Sequence, residues 1–256
     1  RNHSSAASDV YKRQLKGRLT QKTIQILFSK TKNKMKLQTV GKMSSILLFA
    51  LFMSFNFASA GGWETESNRN GVVVKSKQEA GKDYKTYRGT MTLDVTQDAI
   101  TKLMCKVGEY PTWMYKTNSA KLKAPKGHGN TIPQNLLDDN DSYEFYIYTV
   151  NEGSPLDDRD LSSRIVMKKT ATSVALKMSN APTYVPKTDF VRVTEFNGLW
   201  LFELNDDKTI KITYQVYNDP DISLWGVTGR VNKNTKEVVE KTLINCLLYT
   251  SDAADE

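Results

Sequence analysis

Alternating apolar and polar positions dominate the chain after residue 70 and predict a domain built mainly from β-strands. Each predicted strand is rich in β-branched or aromatic residues and is bounded by turn-forming residues, such as Asn197-Gly198 and Asn205-Asp206-Asp207. Short spacers between successive strands predict antiparallel pairing, because parallel pairing needs long crossovers. The predicted strands cover residues 71–77, 84–94, 119–124, 143–150, 161–169, 172–179, 189–196, 199–204 and 209–217.

Two segments have helical rather than strand spacing. Thr96 is the predicted N-cap of a helix that carries Ile100, Leu103 and Met104 and that ends at Gly108. Residues 223–245 form a second predicted helix, whose amphipathic stripe must be buried against another element. One face of the sheet is the available partner, so we predict an α+β layer architecture. The apolar positions of this last helix are Leu224, Val227, Val231, Val238 and Leu243.

The segment before the domain has the pattern of a secretory signal peptide. Residues 35–60 contain a basic start with Lys36 and Lys42, an apolar run over 46–57, and the small-residue site Ala58-Ser59-Ala60. The apolar run is shorter than the roughly 20 residues that a membrane span needs, which favours cleavage over anchoring. We therefore expect a secreted protein, located in the bacterial periplasm.

Both ends of the chain resemble translated sequencing adaptor. The text of residues 4–14 and that of residues 246–256 can be encoded by opposite strands of one oligonucleotide. We therefore expect residues 1–14 and 246–256 to be foreign to the protein. Residues 15–34 have no cap or turn pattern and are interpreted as upstream sequence. The expected domain is residues 61–245, with its last helix truncated.

The net charge and the cysteine content argue against some classes of function. The formal net charge of the chain is +8, but residues 61–245 hold 25 Lys and Arg against 24 Asp and Glu, so the excess lies outside the domain. A basic surface for nucleic acid is therefore not expected. If residues 246–256 are foreign, Cys105 is the one cysteine of the domain. Its apolar surroundings predict a small buried thiol rather than a nucleophile.

The order of elements resembles the START family, the steroidogenic acute regulatory-related lipid-transfer domains. Trp63 followed by residues 71–74 is similar to the family's opening, and residues 84–88 to its second strand. Residues 155–160, Pro-Leu-Asp-Asp-Arg-Asp, resemble a recurrent proline-then-Arg-Asp segment, although Leu156 stands where the family usually has an aromatic residue. Further similar segments follow in the family's order: residues 191–193, 198–200 and 212–216, then Pro220 with Trp225.

This resemblance implies a helix-grip fold, in which a curved antiparallel β-sheet wraps around a long C-terminal α-helix and leaves an internal cavity. Arg159 and Asp160 are the polar candidates for the site, and the resemblance implies that Arg159 points into that cavity, with a carboxylate or a ligand headgroup as its partner; the alternative is that Arg159 and Asp160 are an ordinary exposed pair at a strand start. Gly226 and Gly229 lower the helix propensity of the last helix and either loosen it or admit close packing. The expected ligand-binding residues are Trp113, Tyr146, Tyr148, Arg159, Asp160, Ile165, Met167, Met178, Trp200, Phe202, Tyr214, Trp225, Val227 and Val231.

The predicted function is non-catalytic binding of a lipid or similar apolar molecule, for transport or sensing. The alternative is a hydrolase or cyclase that uses the same cavity, as some relatives of the wider superfamily do. We expect no cofactor, no metal and no catalytic residue, because nucleophile-elbow, phosphate-loop and metal-spaced motifs are missing from the sequence. His128 and the acidic residues Asp138, Asp139 and Asp141 are interpreted as solvated loop residues. The protein is expected to be a monomer that contacts membranes transiently.

Overall fold

The computed structural model describes residues 62–124, 126–127, 129–133, 142–153, 157–222 and 226–252, with the backbone alone for 250–252. All of them belong to the second of two compact units, which begins at Ser59. The expected signal peptide, the upstream segment and the first adaptor-like segment lie outside the described residues. So do Trp225, Leu224, Leu156, His128 and the acidic residues 138, 139 and 141.

The described part of the chain forms one curved sheet of ten strands, which alternation predicted in most places. Every pairing between neighbouring long strands is antiparallel, and register shifts in β1 and β4 add curvature to the sheet. The strands are β1 (Glu64–Arg69), β2 (Val72–Gln78), β3 (Lys85–Leu93), β4 (Thr117–Ala124), β5 (Ser142–Asn151), β6 (Arg159–Lys169), β7 (Ser173–Asn180), β8 (Val191–Arg192), β9 (Glu195–Leu204) and β10 (Ile210–Asp219).

The strand order is β1-β2-β3-β10-β9-β7-β6-β5-β4, with β8 pairing in parallel with β6. The pairing of β3 with β10 joins the N-terminal strands β1–β3 to the last described strand of the chain. Side chains therefore line up in rows across strands that are far apart in sequence. One such row contains Met167, Leu176, Trp200 and Tyr214, which are register partners from β6 to β10.

Three α-helices follow from local signals. Helix α1 (Gln97–Cys105) begins where predicted, because the Thr96 hydroxyl accepts a hydrogen bond from the Ala99 N–H. A 3-10 turn (Val107–Glu109) and the short α2 (Tyr110–Trp113) connect it to β4. Helix α3 (Thr228–Asp252) closes the described chain. Among the described residues, no helix is long and apolar enough to cross a membrane.

Helix α3 lies against the concave face of the sheet and confirms the predicted helix-grip architecture. Its buried positions Val231, Thr235, Val239, Leu243 and Cys246 recur at three- and four-residue steps, as in an amphipathic helix. The helix continues through residues 246–252, the segment whose text resembles adaptor, and Cys246 is buried in the core. Val238, which the sequence assigned to the buried stripe, is only partly buried.

A glycine sets how closely α3 approaches the sheet. A Cβ at Gly89 of β3 would lie 2.4 Å from Cδ1 of Leu243 and 2.7 Å from Cγ1 of Val239. Two helix side chains thus occupy the space that any larger residue at position 89 would need. The second half of α3 is therefore packed directly on the sheet.

Three sequence predictions about local structure are wrong. The predicted turn at Asn197-Gly198 is the interior of β9, and a Cβ at Gly198 would lie 2.3 Å from Cε of Met178, so the glycine serves close packing rather than a turn. Strand β1 was not predicted, because its polar sequence sits mostly exposed at the sheet edge. Helix α3 begins at Thr228 instead of residue 223, and Gly226 precedes it with φ of +80°.

Candidate functional site

A cavity of about 680 Å³ lies between the concave face of the sheet and helix α3. Its walls come from β5, β6, β7, β9 and β10 on the sheet side, and from the first half of α3 on the other. Helices α1 and α2 contribute Met104, Tyr110 and Trp113. The cavity therefore lies where the predicted architecture implies one.

Strand alternation decides which side chains of β6 reach the cavity. Successive side chains of a strand point to opposite faces, and the odd-numbered positions of β6 face inward. Arg159, Leu161, Ser163 and Ile165 accordingly line the cavity. Met167, the next inward position, is fully buried beyond the cavity in the packed core.

Three aromatic side chains form a contiguous cluster at the inner end of the cavity. The rings of Trp200 and Tyr214 are parallel, with centroids 3.9 Å apart and an interplanar angle of 12°. Trp113 meets Trp200 edge-on at 5.9 Å. All three were predicted from sequence as lining residues, and all three border the cavity. Their contacts fix the wall, since each ring supports the next.

Arg159 lines the outer part of the cavity and is half-buried. Its guanidinium donates to the carbonyl oxygens of Pro220, at 3.3 Å, and of Asp157. Its register partner on β5 is the neutral Asn151. No carboxylate among the described residues lies within ion-pair distance of this guanidinium. Arg159 thus presents a positive charge at the cavity without an ionic partner in the described part of the chain.

Many of the other residues that border the cavity are polar. Lys116 forms an ion pair with Glu152, with Nζ and Oε1 3.6 Å apart, and the Glu152 N–H donates to the Lys116 carbonyl at 2.8 Å. This pair ties the start of β4 to the end of β5. The other polar residues that border the cavity are Thr117, Thr149, Asn151, Ser163, Asn218, Arg230, Lys233, Asn234, Thr235, Glu237 and Thr242.

Asp160, which was predicted to bind the ligand together with Arg159, points to the opposite face of the sheet and does not border the cavity. Its carboxylate is fully buried and accepts two hydrogen bonds from Arg192, at 2.6 and 2.8 Å. Thr188 and Tyr148 donate to the same carboxylate at 2.6 and 3.0 Å. Burial alone would raise the pKa of Asp160, but these hydrogen bonds outweigh it and hold the pKa below its usual value.

The Asp160 network attaches a long connection to the outer face of the sheet. Arg192 also donates to the carbonyl oxygens of Pro182, Val185 and Pro186, at 2.6, 3.0 and 3.0 Å. These residues belong to the segment between β7 and β9. The charge of Asp160 is therefore used within the protein, and this side chain does not reach the cavity.

Four further predicted lining residues lie outside the cavity, three of them because of strand geometry. Tyr146 and Tyr148 occupy the outward-facing positions of β5; Tyr146 stacks on Tyr184 with centroids 3.8 Å apart. Phe202 is fully buried in the core, one inward position beyond Trp200. Val227 precedes α3 and does not border the cavity, whereas Ile165, Met178 and Val231 do.

Several lining residues were missed by the sequence. Leu161 and Leu176 could have been found from strand alternation, because each lies two positions from a residue that was correctly predicted to line the cavity, Arg159 and Met178. Ile147 was missed because its neighbours Tyr146 and Tyr148 were predicted to point inward instead. Lys116 and Glu152 lie in connections, where no periodicity marks direction. Phe196 was placed at the end of a strand, because the predicted turn at Asn197-Gly198 interrupted β9.

The described residues carry little that suggests metal or thiol chemistry. Within the described ranges, no group of three or more His, Cys, Asp or Glu side chains is placed to hold a metal ion. Cys105 is buried as predicted, and desolvation raises the pKa of its thiol to about 11. Burial likewise raises the pKa of Cys246 to about 12. Neither of these two cysteines forms a disulfide, and both thiols stay protonated near neutral pH.

Comparison with known proteins supports the fold rather than a specific activity. No protein-family model and no curated protein sequence matches the chain. Among solved structures, the STAR-related lipid transfer protein from Xanthomonas axonopodis superposes with a TM-score of 0.62 at 20% identity, covering 75% of this chain and 99% of that one. Human StAR-related lipid transfer protein 5 gives 0.61 at 13% identity, covering 85% and 99%.

Human STARD10 gives a TM-score of 0.57 at 19% identity, covering 80% of this chain and 82% of that chain. The three matches extend over most of each relative, so the similarity concerns the whole architecture and not one motif. Identities this low establish the fold alone. The chain thus has the helix-grip fold of START-related lipid-transfer domains.

Proposed function

We propose that this protein binds one lipid or similar apolar molecule in the cavity and releases it unchanged, as a carrier or a sensor. The observation that carries the proposal is the cavity of about 680 Å³ between sheet and helix, bordered at its inner end by Trp113, Trp200 and Tyr214. This volume falls within the range of roughly 300–1,000 Å³ that is typical of small-molecule sites. The structural relatives are named for lipid transfer.

The energetics favour an apolar ligand. Each ~100 Å² of apolar ligand surface that leaves water contributes about 2.5 kcal/mol before the costs of association. The inner wall offers aromatic rings, Met104 and Met178, whose flexible thioether can follow the outline of a ligand. Hydrophobic burial is therefore sufficient to hold a chain or ring system, and no covalent step is needed.

Arg159 supports a ligand with an acidic or strongly polar headgroup. A half-buried guanidinium is costly unless it is paired, and no described carboxylate pairs with it. A carboxylate or phosphate at the cavity opening would supply this partner through charge-assisted hydrogen bonds. The ligand would then lie with its headgroup at Arg159 and its apolar part between sheet and helix.

A displacement assay with a fluorescent fatty acid tests this proposal. The wild-type protein should bind the probe, and the Arg159→Met variant should bind it roughly tenfold to a hundredfold more weakly, since hydrogen bonds to charged groups contribute about 1.5–3 kcal/mol. Arg164→Met is the matched control, because Arg164 lies on the same strand but faces outward and pairs with Glu144. Failure of the wild-type protein to bind any probe would contradict the proposal.

Native mass spectrometry of residues 61–252 provides a second test. Mass shifts that match lipids retained through purification are expected, and the same spectra report whether the protein is a monomer. If a captured ester or cyclic precursor were instead converted to a new product over time, the carrier function would give way to the hydrolase or cyclase alternative. No feature of the residues that the structure describes specifically favours that alternative.

We also propose that the protein acts in the bacterial periplasm, where it contacts membranes transiently to exchange its ligand. The apolar run and small-residue site of residues 35–60 support export. Expression of the chain from residue 35, followed by cell fractionation, should give a periplasmic product that begins at Gly61. Retention of residues 35–60 in the isolated protein would contradict export by cleavage.

A further inference from the structure

The hydroxyl group of Tyr214 is an unused hydrogen-bonding group at the cavity wall. The side chain is 4% exposed and lines the cavity. Among the residues that the structure describes, none forms a hydrogen bond with its oxygen. Four described side-chain atoms are both inaccessible to solvent and without a hydrogen-bond partner. They belong to Ser67, Trp113, Ser162 and Asn180, and the Tyr214 oxygen is not among them. The hydroxyl oxygen is therefore exposed to the cavity itself.

This situation contrasts with that of the neighbouring Tyr110. Tyr110 also lines the cavity, but its hydroxyl donates to the backbone carbonyl of Met104 at 2.6 Å. Buried hydroxyl groups in proteins almost always have such a partner. Burial raises the pKa of Tyr214, so its hydroxyl stays neutral and keeps its proton as a donor. An unpaired donor that borders a cavity is the arrangement expected of a group that serves a ligand.

Tyr214 lies at the end of the cavity that is farthest from Arg159. Its register partners across the sheet are Trp200, then Leu176, then Met167 of β6. Along β6, Met167 lies eight residues from Arg159. That separation corresponds to about 25 Å of strand, at roughly 3.3 Å per residue. The next row contains Phe202 and Ile212, which are fully buried and do not border the cavity. Tyr214 thus belongs to the last row of the cavity.

A second unused donor lies at the same end. The indole N–H of Trp113 has no hydrogen-bond partner, and Trp113 packs edge-on against Trp200, which stacks on Tyr214. Its nitrogen is sealed by the surrounding side chains, so Tyr214 is the donor that a ligand can reach. The inner end of the cavity is consequently lined mostly by apolar surface, but it also offers one hydroxyl group that can form a hydrogen bond with a ligand.

We propose that the Tyr214 hydroxyl binds an oxygen atom at the inward end of the ligand. The ligand class is then an amphiphile with polar groups at both ends, such as a long-chain acid that carries a hydroxyl or oxo group at its far end. Its acidic group lies at Arg159, its apolar middle fills the cavity, and its second oxygen pairs with Tyr214. This inference rests on the proposed binding function and adds the chemistry of the buried end.

The test compares two ligands of equal size in two variants. The ligands are ω-hydroxyhexadecanoic acid and heptadecanoic acid, which have equal numbers of heavy atoms. Their dissociation constants are measured by calorimetry for the wild-type protein and for Tyr214→Phe. We expect the ratio of the constants, hydroxy acid over plain acid, to be roughly fivefold to tenfold higher in Tyr214→Phe, because the buried hydroxyl of the ligand loses its partner.

Tyr217→Phe is the matched control. Tyr217 lies three residues along the same strand and is buried but does not border the cavity, so its ratio should equal that of the wild-type protein. Ratios that agree within twofold between wild type and Tyr214→Phe, while both acids bind, would overturn the role of Tyr214 and leave the binding function intact. If neither acid binds the wild-type protein, the binding function itself fails. Repeating the pair with shorter and longer chains identifies the length that places the second oxygen at Tyr214.

Discussion

Replacing Asp160 with Asn should destabilise the fold strongly, although this residue adjoins the expected ligand contact Arg159. The carboxylate is fully buried and accepts hydrogen bonds from Arg192, Thr188 and Tyr148. The guanidinium of Arg192 is itself almost buried, with 10% of its side chain exposed. The substitution keeps the shape of the side chain and removes its charge, so it isolates the electrostatic contribution.

The expected loss follows from the contacts of Arg192. Removing one partner of a buried ion pair costs about 3–5 kcal/mol, because the other charge stays buried without compensation. The carbonyl oxygens of Pro182, Val185 and Pro186 still accept hydrogen bonds from Arg192, so we expect the lower end, about 3 kcal/mol. Domains of this kind have about 5–15 kcal/mol of total stability, so a large fraction would be lost.

Urea unfolding of four proteins measures this effect: wild type, Asp160→Asn, Arg192→Met and the double variant. Free energies of unfolding from linear extrapolation give a double-mutant cycle, in which we expect a coupling of at least about 1 kcal/mol. Arg159→Met is the control on the adjacent position and should change stability by less than about 1 kcal/mol, because its side chain has no ionic partner among the described residues.

Two results would refute the reasoning. A loss below about 1 kcal/mol for Asp160→Asn would show that the buried carboxylate is not a structural requirement. A larger loss for Arg159→Met than for Asp160→Asn would show that the two adjacent residues have been assigned to the wrong faces. Ligand affinity provides the converse check, since Arg159→Met should weaken binding and Asp160→Asn, in folded protein, should not.

Three further predictions concern pH, packing and thiol chemistry. The lowered pKa of Asp160 contributes stability that is present above the unfolded value of about 3.9 and is lost as the pH falls from there through the folded value, so unfolding followed between pH ~6 and ~2 should be less pH-dependent in Asp160→Asn. Gly89→Ala should cost about 1–3 kcal/mol in thermal or urea unfolding because a Cβ there overlaps helix α3, whereas Gly229→Ala, with no atom within 4 Å, should not destabilise the protein. Neither Cys105 nor Cys246 should react with iodoacetamide at pH ~8 in the folded protein, and both should react in denaturant; rapid labelling of the native state would contradict their burial and raised pKa values.

The fold could be predicted well because local pattern and element order agreed. The sequence itself indicated the apolar runs of β5, β6 and β10, the N-cap at Thr96 and the last helix. The resemblance to the START family then predicted how these elements are arranged in space. Strand β1 was missed because edge strands exposed to solvent need no apolar alternation. The error at Asn197-Gly198 arose because a dipeptide that favours tight turns also suits a strand position where another side chain must approach closely.

The candidate site was only partly predictable, because residue type does not specify direction. Trp113, Trp200 and Tyr214 reached the cavity, whereas Tyr146 and Tyr148 did not. Strand β5 has large apolar side chains on both faces, so its sequence does not indicate which set of alternate positions faces inward. Strand β6 gives a clearer indication, since its large apolar side chains Leu161, Ile165 and Met167 are all inward, whereas its outward positions are mainly polar. That alternation alone separates Arg159 from Asp160.

The close contact at Gly198 gives the cavity wall a defined kind of adaptability. The space beside this glycine is occupied by the terminal methyl group of Met178, which is joined to the backbone through several rotatable single bonds. Rotation about these bonds can change the width of the cavity beside Met178 without moving a strand. The proposed ligand would therefore meet an adjustable side chain at Met178, and a larger residue at position 198 would compete with Met178 for the same space.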